Sequence, residues 1–90
     1  MPKAIADPED LEQFARELQV FSTTLKDRMS HLKGRYSALG QTWQDQEEAK
    51  FAREFEQTMR VLDQFLRTAN DQVPFLRRKA QRLREYLGQR

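Results

Sequence analysis

The sequence predicts an all-α fold, an antiparallel two-helix hairpin that dimerises into a four-helix bundle. Three observations predict it. Apolar residues recur every three or four positions through almost the whole chain, the period of an amphipathic helix. The recurrence breaks once, around Gly40 to Asp45, where a tight connection would reverse the chain. The chain has 90 residues with 33% charged side chains and a mean hydropathy of −0.92. So small a domain buries a low fraction of its surface, and a second subunit is a natural supplement.

Residues 1–7 are expected to form a flexible leader. Met1 to Asp7 hold one lysine and no apolar run, unlike a secretory signal peptide. No stretch approaches the roughly 18 apolar residues of a membrane span. The expected location is cytoplasmic, or secreted without a cleaved signal peptide.

A single helical-hairpin domain over 8–90 should follow. The first helix is expected over 8–39. Asp7 suits the N-cap, Pro8 the first helical position, and Glu9 and Asp10 the positive end of the helix dipole. Leucines recur at sevens: Leu11, Leu18, Leu25, Leu32 and Leu39. The companion set reads Phe14 and Phe21, then Met29 and Tyr36, so its offset changes from +3 to +4. That change suggests a straight helix of 3.6 residues per turn rather than a strict coiled-coil seam. Glu12, Glu17, Lys26 and Lys33 lie on the opposite face.

The turn is expected over 40–45. Gly40 suits the left-handed position after a helix. Thr42 with Asp45, or Asp45 with Glu48, would cap the next helix, and the sequence does not choose between them.

The second helix is expected over 46–88. Its apolar series is Phe51, Phe55, Met59, Leu62, Phe65, Leu66, Ala69, Val73, Leu76, Ala80, Leu83 and Leu87. Near 59–66 the apolar arc widens to about 160°, enough for two neighbours. The expected core, of the hairpin or of its dimer, is Leu11, Phe14, Leu18, Phe21, Leu25, Leu32, Phe51, Phe55, Leu62, Phe65 and Leu66. Pro74 removes a backbone donor, so a kink or a restart capped by Asn70 or Asp71 is expected there. With the turn centred near residue 41, paired positions sum to about 82 for equal helical rise. Leu62 would then face Phe21, Phe65 would lie near Leu18, and Pro74 near Pro8, leaving 75–90 overhanging.

The composition excludes several kinds of chemistry. Without cysteine there is no disulfide, thiolate metal site or cysteine nucleophile. The lone His31 follows Asp27 by one helical turn, off the apolar stripe, and reads as a surface residue. No glycine-rich phosphate loop or serine elbow is present. The expectation is a non-enzyme with no cofactor and no metal. The C-terminal segment is basic, with Arg77, Arg78, Lys79, Arg82, Arg84 and Arg90 against Glu85. A solvated helix face explains it best. Nucleic acid is disfavoured as a partner because Phe75 and Tyr86 lie on or near the apolar stripe, poorly placed for base stacking. In an antiparallel dimer the basic tail would point toward the partner's acidic turn, near Asp45, Glu47 and Glu48.

The order Leu39-x-x-x-Trp43-x-Asp45, then Phe51, Phe55, spaced leucines and Tyr86, resembles the WXG-100 family, the early-secreted-antigen-like proteins of type VII secretion. The likeness covers nearly the whole chain on a short motif. It implies a helical hairpin with the tryptophan in the turn and pairing into a four-helix bundle. It also implies that the chain is a small secreted effector, adaptor or chaperone-like partner in such a system. Its partner would be a second copy or a sister protein of similar length, with a secretion ATPase as a further partner. The expected recognition surface joins the turn motif Gly40, Trp43 and Asp45 of one chain to the C-terminal segment of its partner, the stretch that bears Leu83, Tyr86 and Leu87 in this sequence. Two positions depart from the family pattern. Asp45 stands where the family has glycine, and Arg90 stands where the family's export signal has an acid, four residues after the tyrosine. The alternatives are an intracellular helical scaffold with no secretion role, and a nucleic-acid-binding module using the basic C-terminus.

Overall fold

The computed structural model describes residues 6–88. The leader assigned to 1–7 therefore lies mostly outside the described residues, as does Arg90. Two helices, α1 (Pro8–Leu39) and α2 (Gln46–Gly88), fold back on each other as a hairpin, and no strand occurs among the described residues. The molecule is a rod of 69 × 18 × 16 Å. At about 1.5 Å per residue, α2 alone runs for about 64 Å.

Local chemistry sets the helix ends. Asp7 is extended (φ −97°, ψ 120°), and its carboxylate accepts from the Glu9 backbone N–H at 2.9 Å. Pro8 in the first turn forfeits no helical hydrogen bond. Gly40 corrects an expectation, because it is right-handed (φ −62°, ψ −17°). A left-handed residue is not needed, since the following amides cover the last carbonyls. Gly40 N donates to Tyr36 O, Gln41 N to Ala38 O, and both Thr42 N and Trp43 N to Leu39 O, at 3.0 to 3.2 Å. Asp45 starts α2, its Oδ1 accepting from Glu48 N at 3.1 Å. α2 then runs uninterrupted through Pro74, so the restart capped by Asn70 or Asp71 does not occur. The apolar pattern passes the proline in phase, and packing against α1 on both sides of it holds the helix together.

The seam between the helices is a strict heptad. In α1 its positions are Leu11, Ala15, Leu18, Ser22, Leu25, Met29, Leu32 and Tyr36, in steps of four and three. Ala15, Ser22 and Met29 are its buried members. In α2 the same steps run Ala52, Phe55, Met59, Leu62, Leu66, Ala69, Val73, Leu76, Ala80, Leu83 and Leu87, each buried or half-buried. With Ala15 and Ala52 as position a, the leucines of α1 fall at d, and the companion offset is +4 throughout. Phe14 and Phe21 are not members; they sit at g, beside the seam, and are exposed. Small side chains at Ala15, Ser22, Ala69 and Ala80 let the two backbones approach. No large side chain is fully buried among the described residues.

The register also differs from the expected one. Phe65 meets Phe21, Arg77 Nη2 donates to Gln19 at 2.7 Å, and Arg84 pairs with Glu9 at 2.9 Å and Glu12 at 3.4 Å. Pro74 lies beside Ser22 and Thr23, not Pro8. Residues 75–84 thus pack along α1 instead of overhanging it. Side chains lean toward the N-terminus of their own helix. In an antiparallel pair α1 side chains lean to the open end and α2 side chains to the turn. Because α2 also starts at Gln46, later than a turn centred near 41 allows, each α1 residue meets an α2 residue further out than a level count gives.

Candidate interaction surface

Around the turn, one carboxylate oxygen organises the chain. Asp45 Oδ1 accepts from the Trp43 indole N–H at 2.9 Å and from Glu48 N at 3.1 Å. The indole is thereby pinned to the start of α2. Trp43 is half-buried and packs on Phe51, ring centroids 5.5 Å apart. Phe51 stacks on Phe55 at 5.9 Å, and Tyr36 closes the cluster at 4.8 Å from Phe55 and 5.7 Å from Phe51. The Tyr36 hydroxyl donates to Glu48 Oε2. That bond, then burial and then the Glu48 charge, raise the Tyr36 phenol above its ordinary value of 10.0. Gly40 stands at the end of α1 and contributes no atom to the cluster.

The aromatic cluster continues into an exposed flank. Positions d, g and c are neighbours around a helix, and in an antiparallel pair the two g flanks fall on the same side. That side carries Phe14 and Phe21 from α1 and Phe51, Val61, Phe75 and Tyr86 from α2, all exposed, with Phe65 half-buried among them. Leu32, at d, is exposed on the same side. Of the expected core, Leu11, Leu18, Leu25, Phe55, Leu62, Phe65 and Leu66 are half-buried, while Phe14, Phe21, Leu32 and Phe51 are open to solvent within one chain. The three C-terminal residues do not share a face. Leu83 and Leu87 enter the hairpin seam, and Tyr86 stands on the flank at 67% exposure.

Sequence reasoning missed Ala15 and Ser22, because neither is strongly apolar. It also missed Tyr36 with Glu48 and Arg84 with Glu9 and Glu12. The spacing of Ala15, Ser22, Met29 and Tyr36 at sevens was the available signal. Among the described residues no three histidine, cysteine or acidic side chains cluster as metal ligands, and no helix is long and apolar enough to cross a membrane.

A sequence model of the family WXG100, "Proteins of 100 residues with WXG", matches residues 4–86. The chain belongs to the WXG100 family. Solved structures similar to it include the secreted protein EsxB of Bacillus anthracis. The wild-type crystal structure is 24% identical, with a TM-score of 0.77, covering 91% of this chain and 88% of that one. A mutant form of the same secreted protein is 25% identical at the same TM-score, covering 93% and 97%. These likenesses show the hairpin fold. No curated protein matches in sequence. In this WXG100 chain the residue two after the tryptophan is an aspartate, and its carboxylate makes the two hydrogen bonds described above.

Proposed function

We propose that this chain is a non-enzymatic interaction protein of a type VII-like secretion system, a small effector, adaptor or chaperone-like partner that works as half of a four-helix bundle. The observation that carries this reading is the open apolar flank joined to the Trp43 turn, in a chain of the WXG100 family. A single hairpin exposes 7456 Å². A compact monomer of 10.8 kDa exposes about 5,500 Å², so the excess is about 1,900 Å². That excess is large enough to supply one side of a stable interface.

A second copy suits the flank in charge as well as in shape. Along the c and g positions of α2, the turn end carries Glu47, Phe51 and Glu54, and the open end carries Phe75, half-buried Lys79, Arg82 and Tyr86. An antiparallel pairing of two α2 helices centred on Phe65 sets Phe51 against Lys79 of the partner subunit and brings Glu47 beside Arg82 of the partner subunit. A sister protein of similar length is the alternative occupant, and a secretion ATPase is a further partner by family likeness.

Export of the parent and of Trp43→Arg, measured in a type VII-competent host, tests the role. The parent should reach the medium and the variant should stay in the cells. Equal export of both, or none of the parent, would remove it. One observation favours a second reading, an intracellular helical scaffold: Arg90 stands four residues after Tyr86, where the family's export signal has an acid.

A further inference from the structure

The flank opposite the aromatic one, where positions e of both helices meet, carries a groove of about 330 Å³ beside Pro74. Its chemistry is uneven. Ser22 lines it and is only 8% exposed, yet its Oγ meets no hydrogen-bond partner among the described residues. A buried polar group left unpaired is destabilising and calls for a ligand or a reason. Across the groove, Pro74 has no N–H to give the carbonyl of Asn70, one helical turn earlier. The groove is thus lined by a residue with an unpaired hydroxyl and by one whose carbonyl the proline cannot serve.

Two cations border it, Lys26 from α1 and Arg77 from α2, and no carboxylate lines it. Arg77 is oriented by its bond to Gln19, and Lys26 has no hydrogen-bond or ion-pair partner among the described residues. A second cleft shares Arg77 and adds Arg16, again without an acid. Elsewhere on this flank acids stand near the cations. Glu12 meets Arg84 near the open end, and Lys33, Glu56 and Asp63 lie together nearer the turn. The two clefts in the middle of the flank carry cations without acids. No aromatic ring lines either cleft, so the stacking platform that single-stranded nucleic acid needs is missing.

We propose that this groove binds an acidic peptide segment of a partner protein. Lys26 and Arg77 take its carboxylates, the Ser22 hydroxyl donates to an oxygen of the peptide, and the Asn70 carbonyl accepts from a peptide N–H. The site lies within one hairpin and on the flank away from the aromatic face, so it stands whether or not the chain pairs with a copy.

The probe is fluorescein-labelled hexaglutamate, titrated with the full chain at low ionic strength and followed by anisotropy. Saturable binding is expected. Lys26→Gln with Arg77→Gln should weaken it roughly tenfold, while Arg78→Gln with Arg82→Gln, which removes the same charge elsewhere, should stay within about twofold. Ser22→Ala should weaken it about threefold, and the backbone amides near Ser22 and Asn70 should shift in NMR spectra of the parent. Helical circular dichroism checks that each variant folds. Should the double variant unfold, Lys26→Gln alone, at an exposed position, should still weaken binding about threefold. Equal losses in the two double variants, an absence of saturable binding, or tighter binding of oligothymidylate than of hexaglutamate would each overturn the proposal.

Discussion

Phe21 and Phe65 meet edge to face across the hairpin, ring centroids 5.7 Å apart and planes at 89°, while Phe21 remains 56% exposed. Such a pair contributes about 0.5–1.5 kcal/mol beyond its buried area. Its position on the open flank makes the consequence of removing it depend on what covers that flank. A double-mutant cycle of Phe21→Ala and Phe65→Ala, run by urea unfolding at two protein concentrations, separates the cases. The coupling energy should fall in that range, and the single losses should grow where the chain is concentrated enough to pair. Losses identical at both concentrations would mean that Phe21 serves one hairpin only.

Asp45 should matter for two separable reasons. Replacement by alanine removes the cap of α2, which costs about 1 kcal/mol in stability, and also frees the indole N–H of Trp43. Asp45→Asn keeps an acceptor oxygen and should retain most of both. Asp45→Gly restores the family's residue at a cost of a few tenths of a kcal/mol in capping, yet releases the indole as fully as alanine does. Trp43 fluorescence should therefore move alike in the alanine and glycine variants while thermal stability separates them. A spectrum unchanged in both would show that packing on Phe51 alone fixes the ring.

The helices were readable because capping residues and the three-four recurrence are local signals. Asp7, Pro8 and Glu9 lie next to one another in the chain and act on one another in space. The seam was read less well. Hydropathy draws attention to Phe14 and Phe21, but two helices approach closely only where side chains are small, so the contact belongs to Ala15 and Ser22. The register failed for a geometric reason. Counting residues from the turn ignores the lean of side chains, which carries Arg84 to Glu9 and draws Arg77 to Gln19. Among the turn residues, Gly40 invited a left-handed assignment that the amides of Gln41 to Trp43 make unnecessary. The half of the interaction surface that depends on a missing neighbour shows in one chain only as exposure, at Phe14, Phe51 and Tyr86.

The Tyr36 phenol should titrate above 10.0 because its neutral form donates to the Glu48 carboxylate. Its contribution to stability is fully present below the unfolded value near 10 and is lost as pH rises through the higher folded value. Glu48→Gln removes the charge and most of the preference for the neutral phenol. Phenolate absorbance should then show one tyrosine moving down toward its ordinary value, and thermal stability should fall less steeply in strongly alkaline solution. A titration curve identical to that of the parent would place the Tyr36 hydroxyl in solvent.

Ser22 and Pro74 each hold stability down at the same place. Ser22→Ala removes a buried hydroxyl that lacks a partner among the described residues and should raise stability by about 1 kcal/mol. Pro74→Ala returns an N–H to the Asn70 carbonyl and should raise it further, toward the ~3 kcal/mol that separates proline from alanine inside a helix. The first change removes the donor of the groove and the second satisfies its acceptor, so both should bind hexaglutamate more weakly than the parent. Stability gained with binding lost is the pattern of a site kept at the expense of packing. Thermal unfolding and anisotropy on the same samples decide it: stabler variants that bind as the parent does would reduce both residues to tolerated defects in the seam.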